Sequence, residues 1–312
     1  MGTALGWAKL SFKLGRSEIV FAAALCAGLA AAALWLAADM RAALTQCGTP
    51  SGPEACDVIY AFQTSHGHVV QTIQMAIGFT QYAVPLVLGV AILTREIEQR
   101  TAMITWPLAG SRVKWLAWRV TPVLLICLGL IGALAFAAEQ LMQAYLPHSD
   151  LGFANHGARG ISMLTRAALV LVAAMAVGAL IGRVLPALLI GIVLAAGLSS
   201  ALGALLPVWV VPAELSQAES IFSGAQPLNT GFEYRAQDGT PLSDEVAEAM
   251  MQAAYEEGGE EPDPSLLPQE IFFGVAASRY PEVLVRESAA IAGATVLVGA
   301  LAAAIVQRRR PE

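Results

Sequence analysis

The sequence predicts an all-α integral membrane protein with six transmembrane helices, both termini cytoplasmic, and a small α+β extracytoplasmic insertion before the last span. Of its 312 residues, 56% are hydrophobic and 13% are charged, whereas soluble domains carry about 25% charged residues. The mean hydropathy is +0.62, and the apolar residues form unbroken runs of the roughly 20 residues that a spanning helix needs. The runs lack the strict alternation of a β-barrel, so only helices satisfy their backbone groups in lipid.

Six apolar runs are predicted to span the membrane: 19–38, 73–93, 120–138, 167–182, 184–206 and 289–306. The fourth run is short, and we expect its helix to begin near Ile161, with Arg166 extending towards the lipid headgroups. The first run has an alternative interpretation as a cleaved signal peptide, because Lys9, Lys13 and Arg16 precede it. Cleavage would leave five spans in the same orientation.

The distribution of basic residues predicts the orientation of these spans. Twelve of the 18 lysines and arginines lie in four segments that a cytoplasmic N-terminus would place inside: 1–18, 94–119, 183 and 307–312. The positive-inside rule therefore favours both termini in the cytoplasm. Twenty of the 24 acidic residues fall on the outer side of that topology, and the net charge of −6 with no extended basic patch argues against nucleic-acid binding.

The chain is predicted to divide into three parts: a membrane domain over 1–206, an extracytoplasmic insertion over 207–288, and the last span with a basic tail over 289–312. The membrane domain begins with an N-terminal interfacial helix. Within the insertion, 232–240 reads as a hairpin around an Asp-Gly turn. Residues 243–257 read as a helix that starts at Ser243, and 269–279 as a second short helix.

Two pairs of cysteines have different expected roles. Cys47 and Cys56 flank a Gly/Pro/Ser turn in the first outer loop, where an oxidising exterior favours a disulfide over two free thiols. Closing so short a loop stabilises by about 2–3 kcal/mol in the chain-entropy model. Cys26 and Cys127 lie in predicted spans, where we expect them to act as small apolar residues.

All four histidines fall in predicted outer loops, where we expect solvated side chains. His66 and His68 would point to one side of an extended strand and could together hold a metal ion. No spaced third ligand accompanies them, so no metal site is predicted.

Catalysis by this chain is not expected. A P-loop needs a lysine after glycine, and none of the three lysines, Lys9, Lys13 and Lys114, follows one. The predicted spans contain neither histidine nor aspartate, which removes an intramembrane Ser–His pair and an aspartyl dyad. We therefore expect no cofactor bound by this chain.

Few polar side chains lie at membrane depth. The candidates for lining a translocation path are Gln81, Tyr82, Glu139 and Gln140. Glu139 could pair with Arg166, or both side chains could instead face the headgroups. So few ionisable groups give little support to ion-coupled transport.

The inner loop 94–119 carries the most specific signal in the chain. Ile97, Thr101, Ile104 and Leu108 share one helical face, which predicts a short amphipathic helix along the membrane surface, ended by Pro107. The basic and aromatic stretch 112–119 is typical of an interfacial anchor that leads into the third span.

The pattern Arg-Glu-x-Glu-x-x-Thr, then Pro, then Ser-Arg-x-x-Trp after the second span resembles the permease subunits of type-2 ABC exporters. In that family the corresponding segment, here 94–110, is the coupling helix that docks on the ATP-binding subunit. The resemblance implies this role for Glu96, Glu98, Thr101, Pro107 and Arg112. On the apolar face of the same helix, Ile104 joins them as a candidate contact.

Two features depart from the family pattern. Arg100 stands where a glycine is usual, and the insertion 207–288 replaces a compact pair of outer, partly re-entrant helices. The first departure concerns the shape of the coupling helix, and the second is consistent with a specialised exterior function.

The resemblance implies a permease subunit of an ATP-driven exporter in the bacterial plasma (inner) membrane. Its expected partners are an ABC ATP-binding subunit, which would hold ATP–Mg, and a second permease, identical or different. The scarcity of charge in the spans favours an apolar or amphipathic substrate. The alternative is a membrane scaffold or sensor whose acidic outer domain binds a ligand or partner and whose inner helix recruits something other than an ATPase.

Overall fold

The computed structural model describes residues 16–46, 53–99, 111–147, 151–216, 226–258 and 266–308, with side chains left undescribed over 44–46, 53–63 and 257–258. Several predicted features lie outside these residues. They are residues 1–15 of the N-terminal interfacial helix predicted over 1–18, the Cys47–Cys56 disulfide, and the coupling residues Thr101, Ile104 and Pro107.

Seven α-helices account for most of the described chain. They are α1 (Arg16–Gln46), α2 (Pro53–Glu98), α3 (Arg112–Tyr145), α4 (Gly160–Ile181), α5 (Val184–Ala204), α6 (Asp244–Gly258) and α7 (Tyr280–Arg308). In the described part of the chain, six of them are long and apolar enough to cross a membrane; α6 is the exception. The six predicted spans are therefore confirmed as helices.

Several of these helices extend well beyond the apolar runs that predicted them. Helix α2 begins at Pro53, not near residue 73, and α7 begins at Tyr280, not at 289. Hydropathy detects only the apolar part of a helix, whereas the backbone hydrogen bonds continue through polar residues. As one result, His66 and His68 lie on a helix, where residues two apart point in opposite directions and do not share a side.

The helices that span form one compact unit, made of residues 1–147, 155–203 and 284–312. Within it, α2 packs mainly against α4, and α1 against α3. Helices α2 and α4 approach closely at Gly89, where a Cβ would lie 2.5 Å from the carbonyl oxygen of Leu171. Glycine is therefore required there for the two backbones to pack so closely.

The second compact unit consists of residues 148–154 and 204–283. It holds a four-stranded antiparallel sheet in the order β1-β4-β2-β3. The strands are β1 (Ala213–Glu214), β2 (Leu228–Arg235), β3 (Pro241–Leu242) and β4 (Gln269–Val275). Helix α6 accompanies the sheet, so this region is a small α+β unit.

The predicted hairpin is confirmed, with its second strand just beyond the expected range. Strand β2 pairs with β3, and the turn between them places Gly239 at φ 84°, a conformation that favours glycine. The amide and hydroxyl of Thr240 donate to Asp238 Oδ1 at 3.0 and 2.6 Å. These hydrogen bonds hold the pKa of the Asp238 carboxyl below its usual value.

One predicted element of this unit is wrong and another is confirmed. Residues 269–279 are not a helix: they form β4, followed after Ala276 by a single 3-10 turn over Ala277–Arg279. Strand β4 is central in the sheet, between β1 and β2, so its pairing on both sides overrides a local helical tendency. The helix expected over 243–257 is present as α6, one residue later.

Candidate functional site

Ion pairs and hydrogen bonds gather at both ends of the helical unit. We call the end that carries Glu98 and Arg112 the proximal end, and the opposite end, with Tyr145 and Gly160, the distal end. The coupling residues predicted from the sequence belong to the proximal end. The candidates for a translocation path lie on α2 and α3.

Glu96 is buried at the proximal end and forms an ion pair with Arg119. The two side chains are 6% and 4% exposed, and they join the last turn of α2 to α3. Trp115, one turn before Arg119, is also buried. The first carboxylate of the predicted coupling motif is therefore an internal contact between two helices and not an exposed docking group.

Glu98, the second carboxylate of the motif, lies at the end of α2. Its Oε2 accepts a hydrogen bond of 3.0 Å from the backbone amide of Val184, the first residue of α5. A carboxylate at a helix N-terminus satisfies an unpaired amide and interacts favourably with the helix dipole. On the same turn of α2, Arg95 pairs with Glu18 of α1.

Arg112, the first residue of α3, reaches the end of the last helix. Its Nη1 donates to the backbone carbonyl of Gln307 at 2.8 Å and contacts that of Val306 at 3.5 Å. Ser111 caps α3 by accepting from the amide of Lys114. Residues on both sides of the segment 100–110 are thus attached to other helices, Glu98 to α5 and Arg112 to α7.

A buried cluster near the distal end joins α4 to α7. Arg166 Nη2 and Nε donate to Glu287 Oε1 at 2.6 and 3.2 Å, and His156 Nε2 lies 2.5 Å from Glu287 Oε2. Glu287 is fully buried, and the side chains of Arg166 and His156 are 6% and 3% exposed. A Cβ at Gly157 would overlap the Arg166 guanidinium, so this glycine leaves room for the pair.

This cluster corrects three expectations from the sequence. Arg166 does not extend towards the headgroups or pair with Glu139, because Glu287 binds it inside the unit. His156 is not a solvated loop residue, because it contacts the same carboxylate. Glu287 was assigned to the outer insertion, yet it lies in α7 within a helix that can span the membrane.

The candidates for a translocation path are not brought together. Glu139 pairs with Arg159, with oxygens 3.0 and 3.1 Å from Nη1. Gln140 Oε1 instead accepts from Arg41 of α1 at 2.7 Å. On α2, Gln81 is buried and Tyr82 packs against an apolar cluster that includes Leu86 and Val90.

Sequence reasoning missed the Arg166–Glu287 pair because the two residues are 121 positions apart. A usable signal did exist, since Arg166 lies close to an apolar run and such charges need a partner inside a membrane protein. Among the described residues, no group of three or more His, Cys, Asp or Glu side chains is arranged to hold a metal ion.

The comparisons agree with this architecture. The family model described as ABC-2 membrane transporter related matches residues 19–207, a range that contains α2 to α5 and nearly all of α1. Comparisons with curated proteins and with solved structures gave no match. The match covers more than half of the chain and five of its six candidate spans. The chain therefore belongs to the ABC-2 membrane transporter related family, as a multi-pass membrane subunit of a transporter.

Proposed function

We propose that this chain is the permease subunit of an ATP-driven exporter. Family membership implies association with an ATP-binding subunit in general. In the proposal, the segment 94–110 is the coupling helix that contacts that subunit. A second permease, identical or different, completes the translocation path, and ATP–Mg is bound and hydrolysed only in the partner.

The observation that carries this proposal is the set of contacts at the proximal end. Residues close to segment 100–110 in the chain bind three other helices. Glu96 forms an ion pair with α3, Glu98 accepts a hydrogen bond from α5, and Arg112 donates one to α7. Arg95 adds α1 to this set. Because packed helices move as rigid elements, a displacement of the segment would be passed to four helices at once.

The same proposal assigns the sides of the membrane. The density of lysine and arginine supports a cytoplasmic location for the proximal end and both termini. The α+β unit, which lies between α5 and α7 in the chain, is then extracytoplasmic. The Cys47–Cys56 disulfide would be on that oxidising side, and the membrane would be the bacterial plasma membrane.

The exposed surfaces of two helices support a partner within the membrane. In the most apolar 18-residue stretch of each helix, only 17% is buried in α5 and 17% in α7, compared with 61% in α4. Large apolar side chains face outwards on both helices, among them Leu189, Val193, Val296 and Leu297. Lipid and a second permease are the partners that suit such surfaces, and an apolar or amphipathic substrate suits the path between them.

Co-purification tests the proposed function. The tagged full chain, extracted from its native membrane in mild detergent, should bring down a P-loop ATPase in stoichiometric amount. The variant Thr101→Asp/Ile104→Asp should lose this partner, because it introduces charges on the apolar face of the coupling segment. Gln252→Asp, an exposed position on α6, is the matched control and should keep it. Recovery of the tagged chain without any ATPase, under conditions in which known ABC complexes stay intact, would contradict the proposal. That result would favour a membrane scaffold or sensor.

A further inference from the structure

A cavity of about 390 Å³ opens between α2 and α3 in the helical unit. Its walls come from one face of α2, from Met142 and Tyr145 at the end of α3, and from Asn155. Gly67 of α2 leaves room for the hydroxyl of Tyr145, because a Cβ there would lie 3.3 Å from that oxygen. None of the residues predicted to line a translocation path borders this space.

The face of α2 that lines the cavity is polar. Thr64, His68, Gln71 and Gln74 recur every three or four residues, so they share one side of the helix. This stretch lies within the helix that can span the membrane from Thr64 to Glu98. Thr64, His68 and Gln71 are exposed, so this polar face can bind water or a polar ligand.

The floor of the cavity is held in place by three side chains. Asn155 Nδ2 donates to Gln74 Oε1 and lies 3.2 Å from Met142 Sδ, and Gln74 Nε2 also contacts that sulfur. Asn155 has a φ of 48°, a conformation that asparagine tolerates better than most residues. Each amide has more donors and acceptors than these contacts use, so both can bind a further polar group.

The lack of such charged groups as carboxylates and guanidinium groups among the described residues of the lining favours uncharged ligands. Among the described residues that border the cavity, none carries a carboxylate, an ammonium or a guanidinium group. Glu139 and Arg159 lie within four positions of Met142 and Asn155 in the chain, and they are already paired with each other. Where the imidazole of His68 is neutral, a charged ligand group would gain no counter-ion from the described lining, whereas hydroxyls and amides would replace water with hydrogen bonds.

We propose that this cavity binds the uncharged, hydroxyl- or amide-bearing head of an amphipathic substrate. Gln71, Gln74 and Asn155 contact the polar head, and Val70 and Met142 contact the adjoining apolar part. The volume is within the range of small-molecule sites. The assignment as a substrate site rests on the proposed exporter function, in which this distal cavity opens on the extracytoplasmic side.

Equilibrium binding to the full chain in lipid nanodiscs tests the site, with tritiated octyl glucoside as the probe below its micellar concentration. We expect one saturable site per chain. Octyl phosphate and octyltrimethylammonium, with the same tail and a charged head, should compete at least about tenfold more weakly. Gln71→Leu and Gln74→Leu should each weaken binding by about tenfold, because each removes an amide that hydrogen-bonds the polar head of the probe.

Gln143→Leu is the matched control, because Gln143 is an exposed glutamine on α3 outside the cavity, and it should bind like the unchanged chain. Equal binding by Gln71→Leu, a preference for either charged probe, or no saturable binding would overturn the proposal. The assay needs neither ATPase nor nucleotide. Saturable binding of the probe without a co-purifying ATPase would therefore contradict only the exporter function. A co-purifying ATPase without saturable binding of the probe would contradict only the assignment of the cavity.

Discussion

Replacing Glu287 with leucine is expected to lower the free energy of unfolding by about 3–5 kcal/mol, the usual cost of removing one partner from a buried ion pair. The variant would leave Arg166, whose side chain is 6% exposed, without the carboxylate that both of its donating nitrogens contact. It would also remove the partner of His156. Unfolding of the purified protein in detergent, followed by tryptophan fluorescence, measures the change.

Two further variants make this prediction specific. Glu282→Leu acts on the same helix, where Glu282 pairs with Arg279 but both side chains are partly exposed, so it should cost only about 0–1 kcal/mol. The double variant Arg166→Leu/Glu287→Leu should recover most of the loss, because it leaves no isolated buried charge. If Glu287→Leu were as stable as Glu282→Leu, the buried cluster would not hold α4 and α7 together.

Glu96→Ala is expected to have an effect of similar size, about 3–5 kcal/mol. Glu96 and Arg119 are both buried and join α2 to α3 next to the coupling segment. Loss of the carboxylate would leave the Arg119 guanidinium buried without its charge partner. We expect a lower melting temperature of the purified protein and a lower yield of folded chain from the membrane.

Exchanging the two charges distinguishes the contribution of the ion pair to stability from that of side-chain packing. Glu96→Arg/Arg119→Glu should recover at least about half of the stability that Glu96→Ala loses, because an opposite charge again lies across the contact. Arg95→Ala is the control: its pair with Glu18 is on the same turn, but Arg95 is 42% exposed, so the change should be about 1 kcal/mol or less. No recovery in the exchanged variant would contradict the assigned role of the pair.

Hydropathy was sufficient to predict the membrane helices, because lipid forces every spanning segment of this kind to be helical. It did not predict their ends. Helix α2 continues to Pro53 and α7 to Tyr280 through polar residues that have no apolar periodicity. Pro85 and Pro122 lie inside α2 and α3, although proline in a helix interior removes a backbone hydrogen bond and kinks or breaks the helix.

The small α+β unit shows where local patterns fail. The Asp238-Gly239 turn could be predicted because its conformation needs a residue such as glycine. Strand β4 could not, because its strand conformation depends on pairing with β1 and β2, and β1 precedes it by more than fifty residues. Tertiary pairing of this kind is invisible to local propensity.

The polar contacts of the helical unit were predicted only as candidates. Glu96, Glu98 and Arg112 were selected by their motif, but the sequence does not reveal that each binds another helix. The sequence suggested that Glu139 could pair with Arg166. In the structure Glu139 pairs with Arg159, and Arg166 pairs with Glu287. Which arginine meets which carboxylate depends on helix rotation and packing, which one sequence does not determine.

Site-specific photo-crosslinking from the coupling segment tests the central claim most directly. A photoreactive benzoylphenylalanine is placed at position 104 in the predicted coupling helix, or at exposed position 252 on α6 as the control, and the cells are irradiated before lysis. We expect position 104 to crosslink to a P-loop ATPase subunit and position 252 to give no such product. Absence of the product from 104, or equal products from both positions, would contradict the assignment of this chain as an ATP-coupled permease.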